Sequence, residues 1–380
     1  MKEKYEIVII GGGMVGASIA YHLLKLGARS VAIFEKSYIS SGATGRCGGG
    51  IRQQWSSPNN VRLAMRSVQL FEKFKEEIGM DIEYKQGGYL LLAYTDEEAQ
   101  DFENNVRMQK EEGLKVEILS PNMVKKRFPY INIEGVKLAT FCASDGHANP
   151  HLANFGYIKK STELGADVFT HTRVENMEVS NDRVVGVQTT RGYVKCDVIV
   201  NAAGAWSKDV AKMAGVELPT ESFRHQILVT EPVENFMDPL VMSFSHNFYI
   251  RQTKHGSILM GQGDKDEKPR INYNVTFKFT KEISRKLTKI FPFLRKIRIV
   301  RQWAGHYNMS PDAQPIVGKA PSLENYFYAV GFSGHGFMLA PAVGEALAEL
   351  ILLGSTHHTD ISTLNVDRFE KGVVAEKNVV

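Results

Sequence analysis

The chain has little cysteine. Cys47, Cys142 and Cys196 are widely spaced and form no CxxC pair, which excludes a disulfide framework and a cysteine-based zinc site. No cysteine cluster is available for an iron–sulfur centre. A reducing, cytoplasmic setting is expected. The histidines lack metal-ligand spacing, so no metal is expected, and no Ser/His/Asp arrangement is recoverable. Charge of one sign is also scarce: 46 Lys plus Arg against 42 Asp plus Glu leave a net charge of +4, too small and dispersed to point to a nucleic-acid partner. The basic stretch 281–301 is interleaved with Leu287, Ile290, Phe291 and Leu294 and reads as a solvated helix face. Apolar runs are short. Residues 340–353 are interrupted by Pro341, Gly344 and Glu345 and fall short of the roughly 20 needed to span a bilayer. No transmembrane segment is expected, and a strand pattern starting near the N-terminus leaves no room for a secretion signal. Solenoids and propellers are excluded because no internal repeat is visible.

Glycine is abundant, with 33 residues, and its placement carries the first functional signal. An apolar run, 7–10, leads into Gly11-Gly12-Gly13-Met14-Val15-Gly16, then a helix pattern on Ile19, Leu23, Leu24 and Leu26 that ends at Gly27. Gly11 permits the tight turn, Gly13 the approach of backbone to a pyrophosphate, and Gly16 close packing of helix on sheet. The helix N-terminus offers unsatisfied N–H groups to an anion. Glu35 follows Gly16 by 19 positions, near the spacing of a carboxylate that binds an adenosine ribose. A carboxylate there argues against a 2′-phosphate, leaving FAD and NAD.

At 380 residues the chain exceeds the roughly 250–300 at which a single core stops growing, so two domains are expected. Helices are predicted over 60–78, 97–112, after Ser120, up to Leu164, over 281–291 and from about Pro341 to Leu353. Strands are predicted over 87–93, 168–173, 184–189, 193–200, 226–230, 248–251, 257–260, 297–303 and 326–330. The strand 193–200 reads as continuous and apolar, hence buried and parallel. Residues 40–50 are too glycine-rich for a regular element and read as backbone that must approach something closely. The same holds for 201–206 after its strand, and for 331–337 before the last helix. The pattern of strand, glycine turn and helix thus occurs twice, which predicts a discontinuous dinucleotide-binding domain with a strand-rich insertion.

Four segments together resemble the D-amino acid oxidase superfamily of FAD enzymes: the first glycines with Glu35, the loop 41–52, Val200-Asn201-Ala202-Ala203-Gly204-Ala205-Trp206, and 331–337. The resemblance covers nearly the whole chain. Arg46-Cys47-Gly48-Gly49-Gly50-Ile51-Arg52-Gln53-Gln54 and Gly331-Phe332-Ser333-Gly334-His335-Gly336-Phe337-Met338 are its most specific parts, and they look most like the catalytic β subunits of L-proline dehydrogenases and sarcosine oxidases. The fold implied is α/β, α+β overall: a discontinuous Rossmann-like FAD-binding domain, 1–80, 146–218 and 304–380, with an antiparallel-sheet substrate-binding domain, 81–145 and 219–303. The resemblance implies FAD held by Gly11, Gly13, Met14, Val15, Gly16, Glu35, Lys36, Gly42, Ala43, Thr44, Arg46, Cys47, Gly48, Gly49, Gly50, Ile51, Val174, Ala202, Ala203, Gly204, Trp206, Gly305, Tyr307, Gly331, Gly334, His335, Gly336, Phe337 and Met338.

The implied reaction is amine oxidation by hydride transfer to flavin N5, in which the protein supplies orientation and a charge for the substrate carboxylate. Arg52 is the candidate anchor, since its planar fork binds a carboxylate bidentately. Tyr249, His335 and His225 are the other catalytic candidates. Relatives carry an arginine where Tyr307 follows Trp303-Ala304-Gly305-His306, so that anchor is missing. Gly305 stands where monomeric sarcosine oxidases hold the flavin through cysteine, which implies non-covalent FAD. Met338 and Leu259 replace two lysines, one of which assists oxygen reduction, which favours a dehydrogenase over an oxidase. A small secondary amino acid, proline- or sarcosine-like, is the expected substrate, and a second redox subunit the expected partner in a hetero-oligomer. The alternatives are an oxygen-using oxidase of sarcosine, glycine or D-amino acids, and a flavoprotein whose FAD is structural and which acts in assembly.

Overall fold

Two eight-stranded sheets meet along the molecule in a computed structural model that describes residues 1–372 and 375–377. The first sheet runs in the order 316–319, 326–330, 192–201, 4–10, 31–34 and 167–169, with 183–189 and 174–180 branching from strand Gly192–Asn201. Strand Lys4–Ile10 lies at its centre, parallel to Gly192–Asn201 on one side and to Val31–Phe34 on the other. Ile7, Val8 and Ile9 are fully buried, each worth roughly 1.5–3 kcal/mol of apolar transfer. Helices Met14–Lys25 and Pro58–Glu72 pack with helix Gly336–Leu353 on one face of this sheet.

The second sheet runs in the order 299–309, 221–232, 257–263, 248–252, 240–243, 89–93, 138–142 and 117–119. All of its pairings are antiparallel except that of Leu240–Ser243 with Tyr89–Ala93. Helix Phe277–Ile290 buries Phe279, Ile283, Leu287 and Ile290 against it and leaves Lys281, Arg285 and Lys289 exposed, while Lys286 is half-buried and donates to Gln262 Oε1 at 2.7 Å. A two-stranded ribbon, Gly50–Ile51 with Gly146–His147, lies apart from both sheets.

Several predicted elements shift. Helix Phe277–Ile290 starts earlier than residue 281 because Thr276 caps it, accepting the Phe279 N–H. The last helix begins at Gly336, with Pro341 inside it; proline suits a first turn, but here the cost of one missing backbone bond is offset by burial on nearly every side. This helix is also long and apolar enough to cross a membrane, yet most of it is buried among the other helices. Strand Gly192–Asn201 alternates exposed and buried residues along its first half, where it faces Arg183–Thr189 antiparallel, and is continuously buried only at its end. Strand Ile299–Met309 stays in the second sheet throughout, so the boundary expected between 303 and 304 falls inside a strand. Residues 373–374 and 378–380 of the expected last domain segment lie outside the described residues.

Candidate active site

At the end of strand Lys4–Ile10 the backbone turns at Gly11, φ +116°, where an added Cβ would stand 2.3 Å from the Ala202 carbonyl oxygen. A Cβ added at Gly16 would stand 2.1 Å from the Gly11 carbonyl oxygen; the role of this glycine is packing of helix on turn, and it does not line the cleft. Glu35 Oε2 accepts the Gly12 N–H at 2.9 Å, and its Oε1 accepts the Ser37 N–H at 2.9 Å. The carboxylate thus ties the glycine turn to the end of the neighbouring strand and retains lone pairs for a ribose. Thr44 Oγ1 accepts the Met14 N–H at 3.0 Å, whereas the Gly13 N–H finds no acceptor among the described residues.

These groups open onto a cleft with about 1360 Å³ of empty space, part of it open to solvent. Of the predicted residues, Gly11, Gly13, Met14, Val15, Glu35, Lys36, Gly42, Ala43, Thr44, Arg46, Cys47, Val174, Ala202, Ala203, Gly204, Trp206, Gly305, Tyr307, Gly331, Gly334, Gly336 and Phe337 line it. The Lys36 ammonium sits 3.0 Å from the centre of the Trp206 ring, a cation–π contact. Arg46 fastens the glycine loop to the second sheet. Its Nη1 donates to the Ala304 carbonyl at 3.1 Å, and its own carbonyl accepts from Trp303 Nε1 at 3.0 Å.

A smaller cavity, with about 530 Å³ of empty space by the same measure and also partly open to solvent, adjoins the cleft. Gly48, Gly49, Gly50, His335 and Met338 line this cavity and not the cleft. Each glycine clears a neighbour: an added Cβ would meet the Tyr249 ring at Gly48, the Ala148 carbonyl at Gly49 and the Tyr89 hydroxyl at Gly50. Ile51 lines neither space and is buried in the core at 1% exposure.

The four catalytic candidates gather here. Tyr249 borders both cavities, and His225 lies in the cleft wall. The His225 ring stacks parallel to Tyr307 at 4.3 Å and to Tyr249 at 5.6 Å. Burial pushes its pKa down to about 3, and its Nε2 has no hydrogen-bond partner among the described residues. Arg52 and His335 form the other wall, with Trp55 against both: the guanidinium lies 4.2 Å from its ring and the imidazole 4.4 Å, edge-on. Arg52 is 1% exposed and donates from Nη1 to the Gln54 carbonyl at 3.0 Å. Burial holds the phenols of Tyr89, Tyr249 and Tyr307 protonated, and pushes His335 well below the usual histidine range. Among the described residues no carboxylate lines the small cavity.

Comparison with known proteins agrees with this geometry. The model of the FAD dependent oxidoreductase family, DAO, matches residues 6–350. The chain belongs to that family. FAD-dependent oxidoreductase domain-containing protein 1 of Xenopus laevis is 31% identical over 430 aligned positions, covering 100% of this chain and 85% of the relative. Sarcosine oxidase subunit beta of Rhodobacter capsulatus is 28% identical over 383 positions, covering 100% and 92%. The crystal structure of L-proline dehydrogenase from P. horikoshii superposes with a TM-score of 0.94 at 40% identity, over 98% of this chain and 100% of that one.

The residues present fit the family's cofactor. Gly13 offers an unused N–H at the helix N-terminus, and Gly204 has open space where a side chain would stand, so backbone can approach a long FAD along the cleft. Glu35 and the Lys36–Trp206 pair would hold its adenosine end, and Arg46, Gly334 and Gly336 its other end. Cys47 remains a neutral thiol, pushed up to about 11 by burial, and donates to the Thr44 carbonyl. Sequence reasoning missed Tyr89, Leu240 and Met242 in the cavity wall, Gly261 and Arg251. An added Cβ at Gly261 would stand 2.1 Å from the Tyr249 ring, and a glycine inside a strand pattern was the available signal. Arg251 is buried without a carboxylate partner among the described residues, donating to the Gly48 carbonyl at 2.5 Å and to His147 at 3.3 Å.

Proposed function

We propose that this oxidoreductase converts a small secondary amino acid, proline- or sarcosine-like, to its imine and passes the electrons to a carrier or partner subunit. One observation carries the reading: the small cavity joins a buried guanidinium, Arg52, to apolar walls of Leu240, Met242 and Met338, with no carboxylate among the described residues that line it. An amino acid with an apolar body suits those walls, and its carboxylate suits the guanidinium fork. Protonated Tyr89, Tyr249 and Tyr307 and the neutral imidazoles offer hydrogen bonds without negative charge. An ammonium group would find no counter-ion among the described residues of the wall, so the cavity favours the neutral amine, the form whose carbon can give up hydride. FAD, when bound, supplies the two-electron acceptor. The chain's own part is to bind the carboxylate, orient the reacting carbon and exclude water.

The names of the relatives, sarcosine oxidase subunit beta and L-proline dehydrogenase, support this substrate class and a hetero-oligomeric partner. Leu259 supports transfer to a carrier over transfer to oxygen: it is buried in one apolar cluster with Tyr249 and Ile227 and puts no cation beside the cleft. The test is anaerobic bleaching of the flavin by a panel of cyclic, N-methyl and D-amino acids. Reduction by proline or sarcosine with negligible peroxide in air is expected. Rapid peroxide formation without an added dye would replace the dehydrogenase with an oxidase, and no bleaching by any member would leave the flavin structural.

A further inference from the structure

Three residues behind the small cavity, Gln53, Gln54 and Asp145, are tied together by side-chain hydrogen bonds. Asp145 is fully buried, 0% exposed. Its Oδ1 accepts the Gln53 backbone N–H at 2.8 Å and the Gln53 Nε2 at 2.9 Å, and its Oδ2 accepts from Gln54 Nε2 at 3.0 Å. The amides are held in turn: Gln53 Nε2 also reaches Ser144 Oγ at 2.8 Å, and Gln54 Oε1 accepts from Thr140 Oγ1 at 2.7 Å. The ribbon of Gly50–Ile51 with Gly146–His147 places Asp145 opposite the residues that follow Ile51. The backbone carbonyl of the same Gln54 is the acceptor of Arg52 Nη1.

An apolar core could have closed this region at lower desolvation cost, since a buried carboxylate is expensive even when paired. What the carboxylate adds is a single register for the turn, because three directed bonds leave Gln53 and Gln54 one arrangement. We propose that Asp145 is a positioning residue for Arg52: held by Gln53 and Gln54, its carboxylate fixes the turn from which the guanidinium enters the substrate cavity. The inference rests on the reading of Arg52 as the carboxylate anchor. Asp145 itself does not line the cavity and takes no part in the chemistry.

The test uses the FAD-loaded enzyme, with the substrate found by the panel and an artificial electron acceptor, and compares Arg52→Gln, Asp145→Asn and the double variant. Displacing the anchor by a fraction of an ångström predicts a KM increase of about 10-fold or more for Asp145→Asn, with kcat within about threefold and FAD content unchanged. Arg52→Gln raises KM further, and the double variant matches Arg52→Gln alone, since both changes remove one interaction. If Asp145→Asn does not load FAD, Gln54→Met removes one of the anchors and is expected to raise KM selectively in the same way. An Asp145→Asn or Gln54→Met enzyme with unaltered KM, or effects that add in the double variant, overturns the positioning role while leaving Arg52 its own. An unaltered KM in Arg52→Gln overturns the anchor reading first.

Discussion

The two ends of the site are made of different material. The dinucleotide end is built from backbone: Gly11 and Gly13, the helix N-terminus at Met14, and small residues at 202–204 that let main chain come close. The substrate end is built from side chains, several charged or aromatic and nearly all buried: Arg52, Tyr89, His225, Tyr249, Tyr307 and His335. Backbone recognition needs absence of side-chain bulk and tolerates no addition. Side-chain recognition needs particular groups held by neighbours, so its errors are graded.

The sharpest challenge to that contrast is Gly11→Ala. A methyl group at φ +116° and 2.3 Å from the Ala202 oxygen must displace the turn, and loss of bound FAD is expected, seen as a colourless purified protein with a lowered Tm. Arg52→Gln should do the reverse. FAD content stays normal, and kcat/KM falls by about 100-fold, the worth of a charge-assisted bidentate contact. Both ends failing together in either variant would break the distinction.

Acid titration separates the ends less dramatically. Burial raises the Asp145 carboxyl to about 6 from its ordinary 3.8, so its contribution to stability is complete below about pH 4 and is lost as pH rises through 6. The excess stability of wild type over Asp145→Asn should therefore shrink across that window, by about 3 kcal/mol at most, as measured by denaturant melts at each pH. A flat difference would mean the carboxyl ionises normally. Tyr249→Phe is expected to be mildest, lowering kcat/KM by about 3- to 10-fold through loss of one neutral hydrogen bond, with FAD content unaffected.

The same contrast explains what could be read from the chain alone. Gly11, Gly13 and Glu35 lie within one continuous unit of strand, turn and helix, so local spacing reveals them. Tyr89, Arg251 and Asp145 acquire meaning only when segments distant in sequence meet: Tyr89 sits opposite Cys142, Arg251 reaches the Gly48 carbonyl, and Asp145 holds Gln53 and Gln54. Strands Val174–Ser180, Leu138–Cys142 and Leu240–Ser243 escaped the sequence reading for a related reason. Val174–Ser180 is largely exposed, and the other two are short and almost wholly buried, so none shows the regular alternation that marks a half-buried strand. Arg52, Tyr249, His225 and His335 were found through resemblance to a family, not through periodicity.

The reciprocal bonds between Arg46 and the strand at Trp303 and Ala304 bear on how the enzyme ages in use. They pin the glycine loop to the second sheet beside the cleft, and release of a cofactor as long as FAD is expected to quicken when they are removed. Retention of the flavin through dilution or dialysis then becomes a matter of residence time and not of equilibrium affinity alone.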